Sequence, residues 1–332
     1  MVDNVILGAS PDDVAFAIDS CDFVVTDSNV ASIYPELSEN AFVIPAGEKS
    51  KQQSVLFSII GEMYSRGLTR GDRVAALGGG VVGDITGLAA ALYMRGLEWI
   101  NIPTTLLAQV DSGIGGKTAI DMFGVKNLVG AFYPPKKTFI SYDFLDTLND
   151  RERICGYGEL IKTCLLKEDA YYDLLLNIPR LVTFERDTVY SLIEKAVAIK
   201  REVVKRDPKE KNLRAVLNVG HTVGHALESV DEYRLSHGEY VLKGMMTESA
   251  MFGDFVCRSF GDQLIRLCKL FTAPPHSTAN SVVERAMGDK KNVGENITIM
   301  LPINAGDIVR LSVSVDEFAE RYDIAIKQLR KS

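Results

Sequence analysis

Residues 74–84 read Val74-Ala75-Ala76-Leu77-Gly78-Gly79-Gly80-Val81-Val82-Gly83-Asp84. The first four form an apolar run of strand length, and the glycines that follow fit the pattern G-x-G-x-x-G. An apolar helix is predicted next, over residues 84–93, so that backbone amides at its start could approach a pyrophosphate. Taken alone, the pattern also fits an ordinary tight turn, so its meaning depends on the segments around it.

Three more strand-like runs surround this stretch, at residues 23–26, 41–45 and 99–103, and helical patterns separate them. Strands that alternate with helices predict a parallel sheet covered by helices. The runs are followed by polar or glycine-containing clusters, which are Asp27-Ser28-Asn29, Gly47-Glu48-Lys49 and Thr104-Thr105. Because the carboxyl ends of parallel strands share one edge of the sheet, these clusters should converge on one ligand-binding crevice.

The pattern changes after about residue 150, where apolar residues recur every three or four positions, as in Val189, Leu192, Ile193, Ala196 and Val197. This spacing is typical of amphipathic helices. The predicted fold class is therefore α/β, with a Rossmann-like parallel-sheet domain over residues 1–145 and a mostly α-helical domain over residues 146–332. Two short strands, near residues 296–301 and 308–313, should precede a final helix.

Charge and cysteine content limit the classes of function. The 332 residues carry a formal net charge of -7, which argues against a general nucleic-acid-binding surface and leaves small anionic ligands open. The N-terminus lacks the features of a signal peptide, and no apolar run reaches membrane-spanning length, so we expect a cytoplasmic protein without a membrane partner. Five scattered cysteines without a C-x-x-C pair argue against a disulfide framework or a thiolate zinc site.

Two glycine-rich segments resemble motifs of common enzyme families, but each lacks one residue that the family motif requires. The acidic residue that a dinucleotide-binding dehydrogenase carries about twenty positions after its glycines is absent, because Pro103-Thr104-Thr105 stand there. Gly115-Gly116-Lys117-Thr118 resembles the end of a P-loop, but Asp111 occupies the position of that motif's first glycine. A lysine and two glycines suited to binding phosphate remain, with an ordinary surface loop as the alternative.

Three of the four histidines fall in one short segment, at His221, His225 and His237. If that segment is helical around the first two, they lie on one face, and Glu228 continues it. Thr222 stands where zinc proteases have glutamate, which excludes their H-E-x-x-H chemistry. Spacing alone allows a metal site that uses the imidazoles together, because a catalytic zinc usually takes three protein ligands. A single histidine is more often a core or surface residue.

Two lysines stand out from the patterns around them. Lys200 lies on the apolar stripe of its predicted helix, where a solvated lysine is not expected, so it should face a cleft or snorkel out of one. Lys162 follows Glu159 by three positions, so the two charged groups share a helical face. The alternative for this second pair is an ordinary surface ion pair.

Read together, the segments from about residue 27 to residue 294 resemble the dehydroquinate synthase family of sugar-phosphate cyclases. The motifs that carry the resemblance occur in a fixed order, as Gly47-Glu48-Lys49, residues 78–84, residues 103–112, Gly115-Gly116-Lys117-Thr118, Lys126-Asn127, Gly130-Ala131-Phe132-Tyr133, Glu159, Lys162, Leu217-Asn218, Gly220-His221-Thr222, Gly224-His225-Ala226, His237-Gly238-Glu239 and Asp289-Lys290-Lys291. The chain departs from the commonest family pattern at Gly113-Ile114, Asp121 and Tyr157-Gly158, and none of these is an expected ligand.

The resemblance implies a lyase of the shikimate pathway of aromatic amino-acid biosynthesis. It would convert 3-deoxy-D-arabino-heptulosonate 7-phosphate to 3-dehydroquinate and phosphate. Family chemistry runs by transient oxidation with NAD, elimination of phosphate, reduction and aldol closure, assisted by Zn²⁺ or Co²⁺. The first domain would then bind NAD, and the helical domain the metal and the substrate.

The resemblance also implies roles for individual residues. The metal would be held by Glu159, His221 and His237, which moves His225 from the metal to the substrate phosphate. NAD would contact Asp27, Asn29, Glu48, Lys49, Gly78, Gly79, Gly80, Asp84, Thr104, Thr105, Asp111, Lys117, Lys126, Thr147, Leu148 and Glu152.

The substrate residues follow from the same resemblance. Its phosphate would contact Lys117, Asn127, Asn218, His225 and one of Lys290 and Lys291. Lys200 and Arg214 would take the carboxylate, and Asp111, Lys162 and Glu210 would position hydroxyls. Arg95 would reach the phosphate site of a partner subunit, which implies a homodimer.

Three alternatives remain to be weighed. A cyclase of the 2-deoxy-scyllo-inosose synthase kind would use the same cofactors on another sugar phosphate, and the carboxylate pair of Lys200 and Arg214 disfavours it. A metal-dependent NAD alcohol or glycerol dehydrogenase would share the broader architecture, but it would not need Lys117 and Asn127 for phosphate. A non-catalytic nucleotide-sensing protein is disfavoured by the intact metal and catalytic residues.

Overall fold

The computed structural model describes residues 4–287 and 296–331, and the chain divides into two compact units. The first unit runs to Asn149 and includes Lys200–Lys209. The second unit takes Asp150–Ile199 and the chain from Glu210 onward. The division is thus not a single cut in the sequence, since one short segment returns to the first unit.

A six-stranded, wholly parallel sheet forms the centre of the first unit, in the order β1-β8-β5-β4-β2-β3. Its strands are β1 (Val5–Leu7), β2 (Phe23–Asp27), β3 (Phe42–Ile44), β4 (Arg73–Gly78), β5 (Glu98–Pro103) and β8 (Lys137–Ile140). Its helices are α1 (Pro11–Asp19), α2 (Ser28–Ile33), α3 (Pro35–Ser38), α4 (Gln53–Ser65) and α5 (Gly80–Leu92). A two-stranded antiparallel ribbon adds β6 (Lys117–Met122) and β7 (Val125–Phe132).

The central strand β4 is buried on both sides. Val74 and Ala76 pack into one apolar cluster, while Ala75 and Leu77 pack into another. Parallel strands covered by helices on both faces carry continuous apolar runs of this kind. The strand order reverses between β2 and β4, and in such sheets ligands bind beyond the carboxyl ends of the strands at that point. The predicted parallel-sheet class is therefore confirmed.

The second unit is mostly helical, as predicted. It contains α6 (Asp150–Cys164), α7 (Glu168–Leu176), α8 (Ile178–Val182), most of α9 (Arg186–Arg206), α10 (His221–Val230), α11 (His237–Met251), α12 (Arg258–Lys269), α13 (Ala279–Met287) and α14 (Val315–Lys331). An antiparallel pair of strands, β9 (Asn296–Asn304) and β10 (Asp307–Ser314), precedes the last helix.

Glycines let three helices of this unit approach closely. A Cβ atom on Gly238 of α11 would lie 1.9 Å from the carbonyl oxygen of Cys155 in α6. A Cβ on Gly244 of the same helix would lie 1.8 Å from the carbonyl oxygen of Gly220, just before α10. Gly220 itself has a φ of 73°, which favours glycine. A larger side chain at Gly238 would push α11 away from α6, and one at Gly244 would push α11 away from the start of α10.

Candidate metal and nucleotide sites

The glycine-rich segment of the first unit joins β4 to a helix as predicted, but α5 begins at Gly80, four residues before the expected start at residue 84. A Cβ on Gly78 would lie 2.5 Å from Cγ2 of Val82, and one on Gly80 would lie 2.8 Å from the Ser112 hydroxyl. The backbone N–H of Thr104 donates to the carbonyl oxygen of Gly78 at 3.0 Å, which ties the ends of β4 and β5 together. A small pocket here is lined by Gly79, Gly80, Gly83, Asp84, Ser112 and Lys117, among others.

A buried ion pair lies beside this turn and was missed in the sequence. The ammonium of Lys51 is 2.5 Å from Oδ2 of Asp84, and Lys51 is only 5% exposed. Burial disfavours its charged form, but the carboxylates of Asp84 and Glu48 outweigh burial and raise the pKa of Lys51. Lys49, which the family resemblance implies as an NAD contact, is exposed. The overlooked signal is that Lys51 follows Glu48 by one helical turn.

The other predicted nucleotide residues lie on several different elements. Asp27 ends β2, and its carboxylate accepts the backbone N–H groups of Asn29 at 2.8 Å and Val30 at 3.1 Å, which caps α2. Glu48 is exposed in a 3-10 turn. The Thr147 hydroxyl is 3.0 Å from that of Tyr34. Glu152 lies in α6, in the second unit.

Asp111 and Lys200 form a second ion pair in the first unit. Lys200 is 4% exposed, and its ammonium donates to Oδ1 of Asp111 at 2.5 Å and to the Asp111 carbonyl oxygen at 2.6 Å. Asp111 lies in a π-helical turn, Ala108–Ser112, a local irregularity that is frequent at functional sites. Lys200 is therefore buried in an ion pair, and the expectation that it faces a cleft stays a prediction.

The remaining predicted contacts of this unit are exposed or half-buried. Lys117 begins β6, and Lys126 and Asn127 lie on β7. Asn127 has a φ of 52°, and its backbone N–H donates to Oδ1 of Asp121 at 2.8 Å. Arg95 is exposed on the loop before β5, with a φ of 71°.

In the second unit, helices α6, α10 and α11 bring Glu159, His221 and His237 together. Glu159 is fully buried. Its Oε1 is 3.6 Å from Nε2 of His221 and 3.3 Å from Nε2 of His237. Its other oxygen, Oε2, forms an ion pair with the ammonium of Lys162, which is 2% exposed. The predicted surface alternative for this pair is thus excluded by its burial.

Both imidazoles are oriented by contacts to the ring nitrogen that faces away from Glu159. Nδ1 of His221 is 3.0 Å from the carbonyl oxygen of Val219. Nδ1 of His237 is 3.4 Å from Oε2 of Glu228. Each ring therefore presents Nε2 to the same carboxylate oxygen.

His225 is exposed, and its ring centroid lies 4.9 Å from that of His221 and 5.6 Å from that of His237. One donor atom from each of the three histidines lies within 4.8 Å of the others, so the three imidazoles could hold a metal ion. The structure thus offers four candidate ligands, the three histidines and Glu159.

The donor set fits a tetrahedral metal. Ligand atoms at about 2.0–2.2 Å from a zinc ion lie roughly 3.3–3.6 Å from one another, close to the separations between Glu159 and the two imidazoles. Within the described residues, neither oxygen of the buried Glu159 carboxylate makes a hydrogen bond of acceptable geometry. A carboxylate and two imidazoles that face one point are donors that suit zinc or cobalt.

The acidic surroundings of His237 affect its protonation. Burial disfavours the charged ring, but the carboxylates of Glu159 and Glu228 outweigh burial and raise the pKa of His237 to about 10. Without a metal, both nitrogens of the ring are therefore protonated at neutral pH. A metal ion that binds Nε2 must displace the proton on that nitrogen.

Three of the predicted substrate residues of this unit lie on the segment before α10. Arg214 is 2% exposed in the 3-10 helix Leu213–Asn218. The Asn218 amide donates to Oε1 of Glu210 at 3.4 Å, and Glu210 has a φ of 53°. Lys290 and Lys291 lie outside the described residues.

A second acidic residue, Glu248, fixes the start of α10 and was also missed in the sequence. Glu248 is fully buried in α11, and its oxygens accept the backbone N–H groups of Gly220 at 3.0 Å and Val223 at 2.9 Å. A carboxylate at a helix N-terminus satisfies free amides and complements the helix dipole. It thereby holds the turn that carries His221. The only signal in the sequence was an acidic residue within an apolar helix.

Comparison with known proteins covers most of the chain. The family model described as 3-dehydroquinate synthase N-terminal matches residues 41–155, and the model described as 3-dehydroquinate synthase C-terminal matches residues 156–292. A curated 3-dehydroquinate synthase of Ruminiclostridium cellulolyticum is 36% identical over 314 residues, which covers 90% of this chain and 88% of that protein.

Solved structures show the same architecture. A 2-epi-5-epi-valiolone synthase from Streptomyces hygroscopicus subsp. jinggangensis, with NAD⁺ and Zn²⁺ bound, is 27% identical, has a TM-score of 0.87 and covers 99% of this chain and 96% of its own. A 2-deoxy-scyllo-inosose synthase complexed with carbaglucose-6-phosphate, NAD⁺ and Co²⁺ is 24% identical, with a TM-score of 0.80 and coverage of 94% and 91%. Among the described residues, no helix is long and apolar enough to cross a membrane.

Proposed function

Because this chain belongs to the 3-dehydroquinate synthase family, we propose that its first unit binds NAD and that Glu159, His221 and His237 bind the catalytic metal. The family activity releases phosphate from 3-deoxy-D-arabino-heptulosonate 7-phosphate and forms 3-dehydroquinate. The proposal concerns which residues of this chain bind the metal, NAD and the substrate.

One observation carries the metal assignment. Oε1 of Glu159 faces Nε2 of both His221 and His237 at separations that fit one tetrahedral ion. The Nδ1 atoms of the two rings are engaged elsewhere, so each has one nitrogen left for a metal. A bound Zn²⁺ or Co²⁺ would polarise the substrate's carbinol and ketone oxygens. The exposed His225 is then left for the substrate phosphate.

The NAD assignment rests on the edge of the parallel sheet. Asp27 ends β2, Gly78 ends β4, and Thr104 and Thr105 follow β5, so these residues share the carboxyl edge next to the reversal in strand order. Helix α5 begins at Gly80, and among the described residues no side chain caps its first turn, so its backbone N–H groups suit a pyrophosphate. We assign the remaining NAD contacts to Asn29, Glu48, Lys49, Asp84, Asp111, Lys117, Lys126, Thr147, Leu148 and Glu152, and we add Lys51.

For the substrate, we propose that Lys200 and Arg214 bind the carboxylate and that Asp111, Lys162 and Glu210 position hydroxyls. Lys117, Asn127, Asn218 and His225 would hold the phosphate, with Arg95 supplied by the partner of a homodimer. Both buried lysines already face a carboxylate in the protein, Lys162 against Glu159 and Lys200 against Asp111. Such pairing fixes the position of each ammonium group. We expect the enzyme to work in the cytoplasm.

The activity is tested with purified protein, Zn²⁺ or Co²⁺, catalytic NAD and the heptulosonate phosphate. We expect stoichiometric release of phosphate and dehydroquinate without net formation of NADH, because NAD is regenerated at each turnover. Net NADH formation from a simple alcohol would instead favour the dehydrogenase alternative. Phosphate release from glucose 6-phosphate, but not from the heptulosonate, would favour an inosose synthase.

A further inference from the structure

Glu228 lies on the side of His237 that faces away from Glu159. It belongs to α10 and is 5% exposed, so its carboxylate is almost completely removed from water. Its Oε2 is 3.4 Å from Nδ1 of His237, whose Nε2 is in turn 3.3 Å from Oε1 of Glu159. The His237 ring therefore lies between two carboxylates, with Glu228 on its Nδ1 side and Glu159 on its Nε2 side.

We propose that Glu228 is a positioning residue that fixes His237 as a metal ligand. Its carboxylate accepts the Nδ1–H of the ring, so the lone pair of the neutral imidazole lies on Nε2, on the side of the metal. The negative charge also makes the ring a stronger donor than a neutral partner would. This inference rests on the proposed metal site.

The two proposed imidazole ligands differ in the group that their Nδ1 atoms contact. Nδ1 of His221 is held by the carbonyl oxygen of Val219, two residues earlier in its own backbone. His237 begins α11 and has a carboxylate from another helix instead. His237 is also more exposed than His221, with 32% of its side chain accessible against 10%. The more accessible ring thus depends more on a side chain to hold its orientation.

The inference is tested with Glu228→Gln and Glu228→Ala, and with Glu232→Gln as the matched control. Glu232 is exposed just beyond the end of the same helix, so its substitution removes the same charge away from the ring. Affinity for Co²⁺ is measured by competition with a chromophoric chelator, and the visible spectrum of the Co²⁺ protein reports ligand geometry. NAD binding and circular dichroism show that the variants are folded.

We expect Glu228→Ala to lower Co²⁺ affinity by about 10–100-fold and to change the Co²⁺ spectrum. Glu228→Gln, whose amide oxygen still accepts from Nδ1–H, should retain part of the affinity because it restores orientation without charge. Glu232→Gln should match the wild type in affinity and spectrum.

Unchanged affinity and spectrum in both Glu228 variants would overturn the inference, whereas failure of the wild type to bind Co²⁺ would overturn the proposed metal site itself. If Glu228→Ala does not fold, the nearly isosteric glutamine variant decides by the same two measurements.

Discussion

At the scale of single residues, the three clustered histidines have different expected roles. His237→Ala removes an imidazole that faces Glu159, so we expect loss of bound metal and of activity with NAD binding retained. His225→Ala should keep the metal and instead raise KM for the phosphorylated substrate. The measurement is metal content per chain after gel filtration, with NAD affinity determined in parallel. If His225→Ala loses metal as His237→Ala does, His225 is itself a metal ligand and is not left for the substrate phosphate.

The ion pair of Lys51 and Asp84 predicts a strong contrast between neighbouring lysines. Lys51→Met leaves the Asp84 carboxylate without its buried partner, which should lower the free energy of unfolding by about 3 kcal/mol and weaken NAD binding. Lys49 is exposed, so Lys49→Met should change stability by less than about 0.5 kcal/mol. Denaturant titration and NAD binding measure both effects. A stable Lys51→Met variant with normal NAD affinity would contradict this assignment.

The same two lysines show what sequence patterns could not settle. Both lie in one short polar segment, and only the fold reveals that Lys51 is buried against a carboxylate 33 positions later in the chain. Glu228 was placed on the face of the histidines by its spacing, but the ring that it contacts belongs to another helix. Local spacing predicts which residues share a face, whereas the contacts across helices depend on tertiary packing.

At the scale of secondary structure, the close contact of α6 and α11 controls the metal site. Gly238→Ala would place a methyl carbon against the carbonyl oxygen of Cys155, so the helices that carry Glu159 and His237 must separate. We expect a loss of about 1–3 kcal/mol in stability and a marked loss of metal affinity.

Gly61→Ala is the matched control for this substitution. Gly61 lies inside α4, and a Cβ there meets nothing within 4 Å. The change should be neutral or stabilise the protein by about 0.5–1 kcal/mol, since alanine favours the helix. Equal metal affinity in the two variants would show that the glycine contact does not position the ligands.

Sequence patterns predicted long or regular elements better than short ones. The strand expected at residues 74–77 is Arg73–Gly78, and the segment considered as helical around His221 and His225 forms the helix His221–Val230. Strands Val5–Leu7 and Lys137–Ile140 were not predicted. They are short and pair with each other across most of the first unit's sequence, so no local periodicity reveals them.

At the scale of the whole molecule, the proposed homodimer can be tested by mixing two inactive variants. If Arg95 serves the partner's phosphate site, a dimer of one Arg95→Ala chain and one His237→Ala chain contains one complete site. Random reassociation of equal amounts should then restore about a quarter of the wild-type activity. Each variant alone should be nearly inactive. No recovery in verified mixed dimers would mean that Arg95 serves its own chain.

The loop before β5 has a consequence for the balance between stability and catalysis. Met94, Arg95 and Gly96 all have positive φ, at 48°, 71° and 119°, and only the last is a residue that adopts such angles without cost. Arg95→Gly should therefore leave stability unchanged or raise it, by up to about 1 kcal/mol, while it removes the guanidinium. Selection for thermostability alone would favour glycine at this position. If Arg95 serves the partner's phosphate site, as proposed, the binding of its guanidinium is obtained at the expense of backbone stability in this loop.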